Sequence, residues 1–526
     1  MDPSKLADRL RGILNPTGLE SNVGSGTRRT PPTSDVVSGS SRTHTDLEHV
    51  LGGEWRPQGD ARCFVVERRF AAQTLYGRVA VGELAAGLET AAGEASLIAG
   101  GRPARPPFIF FDLETTGLSG GAGTYAFLVG FGWFDADGGF LTRQYVLVRF
   151  ADERPLQTMV AAELARAGAI VSFNGKSFDA PVLETRYLFH RLEWVGARQP
   201  HIDVLHPARR FWGGACGPRE DSESPFNAVG APPPTAAVSR VRARQQPQAL
   251  SAGMRASDSL ELGALGVGPQ RHEQGGAPRA LEKARCPGAS DPDRSSCSLV
   301  SLERQVLGAR RAGDVAGPEI PARYFQFVRS GDARPLAAVL DHNRLDLLAL
   351  AGLTARLVHL VRSGPDHAGD AREALALGHV YARAGLDGRA RDAFARAASV
   401  SIALTSGSMR SGASIALASG SMPLIRIDAL RALALAWRRA RQYDEAAGCW
   451  RQLLDARGCP RHIAREATEA LAIHHEHRVR DLAAAKAFAR RNLEHDMPPA
   501  SHDAARYRLA RIERKMANAR RPGLLS

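Results

Sequence analysis

Between residues 107 and 149 short runs of β-branched and aromatic residues alternate with turn residues: PFIFFDLETTG, TYAFLVGFGWF and FLTRQYVLV. Runs of this kind predict three strands in series, most simply an antiparallel meander. A 3.6-residue period over 155–167 predicts a helix, AIVSFNG at 169–175 another strand, and APVLETRYLFHRL a second helix. Strands with helices on their faces give an α/β domain. Apolar runs also occur upstream, at CFVVERRF (63–70) and at 79–84, where we expect a strand flanking that domain.

The rest of the chain has a different texture. Residues 1–45 are rich in Ser, Thr, Gly and Pro and read as an arm with no core of its own, and 46–106 as a flanking segment. The α/β domain is expected to span 107–362, interrupted at 217–296 by a polar, aperiodic insertion. Helical periodicity returns at 299–307 and 335–360. From 366 to 520 the chain is Ala-rich, and three comparable helix-pair segments recur, as in tetratricopeptide-like repeats. The period breaks at 399–423, where SIALTSGSM is followed by its near copy SIALASGSM, a pattern that reads as a tandem insertion.

Composition narrows the class. The net charge is +14, and residues 366–526 hold 27 Lys and Arg against 17 Asp and Glu, so +10 of the excess lies there. Such an excess favours polyanions, although an Arg-rich codon bias gives the same count. Six cysteines (Cys63, Cys216, Cys286, Cys297, Cys449, Cys459) form no CxxC pair and read as free thiols of a reducing compartment. The N-terminus lacks a signal-peptide pattern, and no run of about 18 apolar residues occurs, so a cytoplasmic protein without a membrane span is expected. No Walker loop is present, which leaves nucleoside triphosphate hydrolysis unsupported.

Candidate chemistry lies in the acids. In FIFFDLETTGL a hydrophobic strand delivers Asp112 and Glu114 two residues apart, hence on one face. Two carboxylates there are expensive unless a cation neutralises them, and a hard divalent ion is the economical partner. The alternative is a strand end facing water. Asp179 opens a helix after SFNGKSF, where it could equally cap that helix. His342 and Asp346 stand four apart on a helix among leucines, as a site pair or a simple ion pair. In HIDVLH, Asp203 reads as a residue supporting a site and His201 and His206 as structural; HHEH at 474–477 reads as a polar helix face.

The order Asp-x-Glu, Asn-x₄-Asp and His-x₃-Asp resembles the three motifs of the DEDD exonuclease superfamily. Together FFDLETTGLSGGAGTYAFLVGFG, SFNGKSFDAPVLETRY, HIDVLHPARRFW, SLERQVLG and LDHNRLDLLALA resemble the YprB-like ribonuclease H-like domain, over about 60–360 without the insertion. The resemblance implies a mixed central sheet with flanking helices, followed by the all-α repeats. It implies 3′-to-5′ hydrolysis of DNA or RNA, with two ions, Mg²⁺ or Mn²⁺, held by Asp112, Glu114, Asp179 and Asp346. His342 would orient or deprotonate the attacking water, and Thr115, Asn174 and Lys176 would contact substrate. Better-known subclasses have Tyr four, or His five, before the last Asp; here those positions hold His342 and Asp341, which leaves the water-activating residue open. The competing expectation is a non-catalytic interaction protein whose repeats bind a protein partner.

Overall fold

The computed structural model describes residues 47–100, 102–117, 123–213, 297–399, 413–494 and 499–519. The N-terminal arm, the 217–296 insertion and the first copy of the duplicated segment lie outside the described residues.

Seven strands form one mixed sheet in the order β1-β2-β7-β6-β5-β8-β9. The predicted meander is present: β5 (Phe108–Thr115), β6 (Ala126–Phe134) and β7 (Phe140–Val146) pair antiparallel. On the other side of β5, β8 (Ala169–Ser172) and β9 (His201–Asp203) run parallel to it. The sheet is extended by β1 (Glu54–Gln58) and β2 (Ala61–Phe70), from the segment that sequence reasoning set apart as flanking. Cys63 to Val66 are all buried, so β2 belongs to the core of the sheet it joins. A small hairpin of β3 (Leu75–Tyr76) and β4 (Val79–Ala80) leads into helix α1 (Val81–Thr90), which corrects the strand expected over 79–84. The first apolar residues there, Val81, Leu84 and Leu88, are spaced for a helix face.

Alternate residues of β5 serve two cores. Phe108 and Phe110 face one that includes α1 and helix α6 (Arg334–Ser363); Ile109, Phe111 and Leu113 face another. The second is built with α2 (Glu153–Ala165), α3 (Asp179–Phe189) and α5 (Ile320–Ser330), where Tyr324 stacks on Phe127 at 4.1 Å. Helix α4 (Leu205–Phe211) follows β9.

Helix α6 has 30 residues, about 45 Å at 1.5 Å per residue. Its N-terminal part lies against the sheet, and from Leu347 to Val361 nearly every side chain is buried. Beyond it α7 (Ala371–Arg383), α8 (Asp387–Ser399), α9 (Ala413–Arg439), α10 (Tyr443–Asp455), α11 (Arg461–His474), α12 (Leu482–Leu493) and α13 (Pro499–Ala519) pack in series, each on the next. The two halves are joined by a shared core and by Trp212, whose indole N–H donates to Glu373 on α7 at 2.8 Å. Among the described residues no helix is long and apolar enough to cross a membrane, and Cys63, Cys449 and Cys459 are free thiols.

Under the second core Glu153 pairs with Arg186, with side chains 2% and 1% exposed, and also meets His190 at 2.7 Å. Removing one partner of such a pair leaves an uncompensated buried charge. Glu153→Ala should therefore lower the unfolding free energy in urea by about 3–5 kcal/mol, and adding Arg186→Met should return most of it.

Candidate functional site

The carboxylates gather where β5 ends, on the face covered by α6. The register places Asp112 on β5 opposite Gly130 on β6, and Gly130 opposite Gln144 on β7, so the three form one cross-strand row. Over this row sits Asn343 of α6, fully buried. Its amide donates to Asp112 Oδ2 at 2.9 Å, and its carbonyl accepts from Gln144 Nε2 at 2.9 Å. The missing side chain at Gly130 makes the room: a Cβ there would lie 2.0 Å from Asn343 Oδ1.

Asp112 is consequently held beside other acids in a desolvated position. Burial pushes its carboxyl well above the usual range, and the charges of Asp346, Glu114 and Asp179 add to this, against the Asn343 hydrogen bond. Glu114 is raised likewise, first by burial and then by Asp346, Asp179 and Asp314. Asp179, 5% exposed, is pushed up to about 7 by burial and by the charge of Asp203. Asp179 is the first residue of α3, after the N-cap Phe178, whose side chain makes no capping hydrogen bond.

Glu114, His342 and Asp346 offer donor atoms within 4.8 Å of one another, and among the described residues this is the one such group able to hold a metal ion. The i,i+4 pair on α6 faces the strand pair as the spacing predicted, with His342 Nε2 at 3.4 Å from Asp346 Oδ2. On its other side His342 Nδ1 meets Asp314 Oδ1 at 2.7 Å, which fixes the ring. Asp346 Oδ1 faces Arg311 Nη2 at 2.6 Å, an ion pair outside hydrogen-bond angles. Hard oxygen donors with one imidazole, gathered where burial and neighbouring charge disfavour the ionised forms of Asp112 and Glu114, fit a divalent cation.

Behind Asp179 the loop after β8 is fixed by Asp203, whose carboxylate accepts from the backbone N–H of Asn174 (2.8 Å), Lys176 (3.1 Å) and Leu205 (3.1 Å). Asn174 takes a left-handed conformation, φ 66°, which Asn tolerates better than most residues. Gly175 packs so closely that a Cβ would sit 2.9 Å from Asp179 Oδ2. Asp203 thus fixes the loop that leads into α3. His201, bonded to Ser172 Oγ at 2.7 Å, is structural; burial, then the Lys176 charge, lowers it to about 4 against the pull of Asp203. His206 is exposed.

Three expected substrate contacts are not gathered with the acids. Thr115 is buried beyond a register shift in the β5–β6 pairing, and its hydroxyl donates to the Gly117 carbonyl. Asn174 is exposed, and Lys176 lines a cavity of about 200 Å³ with Phe111, Ile170, Trp194 and His201, on the face away from Asp112. At 474–477, Glu476 is bound by Arg511 and Lys515 and forms no metal group. Sequence reasoning missed Asn343, Gln144, Arg311 and Asp314; of these only Asn343, between His342 and Asp346 in the LDHNRLD motif, carried a local signal.

Residues 109–215 and 281–358 match the family model of the RNase H superfamily. The uncharacterised protein YprB of Bacillus subtilis (strain 168) is 26% identical over 245 residues, 46% of this chain; the match spans 40% of that protein, less than half its length. With the seven-stranded mixed sheet and its flanking helices, these matches identify the α/β half of the chain as an RNase H-like domain.

Proposed function

We propose that the chain is a metal-dependent 3′-to-5′ exonuclease of the DEDD type, acting on phosphodiester bonds of DNA or RNA. The observation that carries the reading is the mutual crowding of Asp112, Glu114, Asp179 and Asp346, four acids from β5, α3 and α6, at a partly buried edge beside His342.

In this reading the four carboxylates hold two divalent ions, Mg²⁺ or Mn²⁺. Bound there, such ions polarise the phosphoryl oxygen and acidify a water molecule. The protein's own part is to fix the donors. Asn343 holds Asp112, the Asp203 loop holds the start of α3, and the shared turn of α6 presents His342 and Asp346 together. His342, anchored through Nδ1 by Asp314, turns Nε2 towards the cluster and takes the proton of the attacking water there. The parallel strands β5, β8 and β9 all end at this edge, where open α/β sheets bind ligands. The helices of the C-terminal half are tetratricopeptide-like repeats, and their +10 charge supplies a polyanion-binding or partner-docking surface.

With a 3′-labelled single strand, Mg²⁺ or Mn²⁺ should support stepwise release of mononucleotides. Asp112→Asn or Asp346→Asn should reduce the rate by at least about 10³-fold; full activity in either variant would refute the assignment. A protein whose repeats capture a partner whatever the state of those acids, and which degrades no strand, would be the interaction protein instead.

Gly130→Ala should displace Asn343 from Asp112 without touching an acid. We expect a lower melting temperature and a loss of activity of about tenfold or more, a smaller effect than Asp112→Asn.

The raised carboxyls give a pH dependence of definite sign. Asp179 titrates in the unfolded chain near 4 and in the folded one at about 7, so the folded state binds more protons between those values. Stability without metal should fall as pH rises from about 4 to 7 through this group. Added Mn²⁺ should raise the melting temperature more at pH 8 than at pH 5.5; an equal rise at both would count against these acids as ligands.

A further inference from the structure

Arg311 lies in the loop between the helical turn at 303–307 and α5, and its side chain is 3% exposed. Three carboxylates surround it: Glu303 on Nε at 2.8 Å, Asp314 on Nη1 at 3.1 Å and Asp346 on Nη2 at 2.6 Å. Glu303, 1% exposed, is held in turn by the Tyr76 hydroxyl at 2.6 Å. Asp314 also holds His342. One guanidinium therefore governs both α6 residues of the candidate metal group, Asp346 directly and His342 through Asp314.

We propose that Arg311 is a positioning residue and a resident cation that sets how strongly the acidic cluster takes a divalent ion. It engages Asp346 by Oδ1, while Oδ2 faces His342 Nε2 at 3.4 Å. Where like charges crowd with no ion bound, this fixed positive charge compensates part of their repulsion. When an ion enters, the same charge repels it, so affinity is held below what the bare carboxylates would give. Glu303 tempers that repulsion by neutralising part of the guanidinium from the far side. The inference rests on reading the cluster as a metal site.

The two residues then have opposite effects, which a purely structural role cannot produce. In calorimetric titrations of the full chain with Mn²⁺ alone, Arg311→Met should bind about tenfold more tightly than wild type. Glu303→Gln, which leaves the guanidinium less neutralised, should bind several-fold more weakly. Arg311→Lys, which keeps a positive charge, should stay close to wild type. Circular dichroism establishes that each variant is folded; should Arg311→Met not fold, the weakening in Glu303→Gln and the near-wild-type affinity of Arg311→Lys decide. Equal weakening in Arg311→Met and Glu303→Gln, or no change in either beside a wild type that binds, overturns the role of Arg311 alone. No Mn²⁺ binding by wild type at all removes the metal assignment, and this inference with it.

Discussion

Negative charge set on an apolar strand is the constraint around which this domain is organised. The four residues before Asp112, Phe108 to Phe111, are wholly buried, and the strand continues without a break into Asp112 and Glu114. Neither acid can retreat to solvent without abandoning the sheet register that buries those aromatics on both faces. The neighbouring elements accordingly bring hydrogen-bond donors and cations towards this edge: the Asn343 amide onto Asp112, Arg311 onto Asp346, and backbone N–H groups onto Asp203. Much of the polar architecture of the α/β half answers this one electrostatic demand.

The answer depends on steric detail as much as on charge. A helix carrying Asn343 can reach the floor of the sheet because the middle residue of the Asp112, Gly130, Gln144 row has no side chain. Gln144 then completes Asn343 from the neighbouring strand, so a buried amide is satisfied at both ends. Close approach of α6 and retention of the Asp112 geometry are thus the same fact.

Local periodicity exposed what is local. Strand parity paired Asp112 with Glu114, helical spacing paired His342 with Asp346, and the runs of β-branched residues gave the meander and the α/β class. What was not legible depends on partners distant in the chain. Gln144 and Asn343 meet across 199 residues, and Tyr76 and Glu303 across 227. Likewise the burial of 63–66 shows that β2 is core, but only the pairing of β2 with β7 shows whose core it is. Arg311 sits in GARRAGD, a sequence that reads as a solvated basic loop; it is buried because three acids converge on it.

Helix α6 has a mechanical consequence. His342 and Asp346 occupy its first half, while the stretch from Leu347 to Val361 is buried in a helix that packs chiefly on α1 and the turns at 299–307 and only lightly on α7. A rod some 45 Å long, held along its buried half and bearing His342 and Asp346 in the other, acts as a lever. A tilt of a few degrees imposed on that buried half displaces the imidazole and carboxylate against β5 by tenths of an ångström to an ångström, the scale on which coordination distances are decided. Because the helix is continuous, a shift of α1 against it reaches the acidic edge without any intervening loop to absorb it.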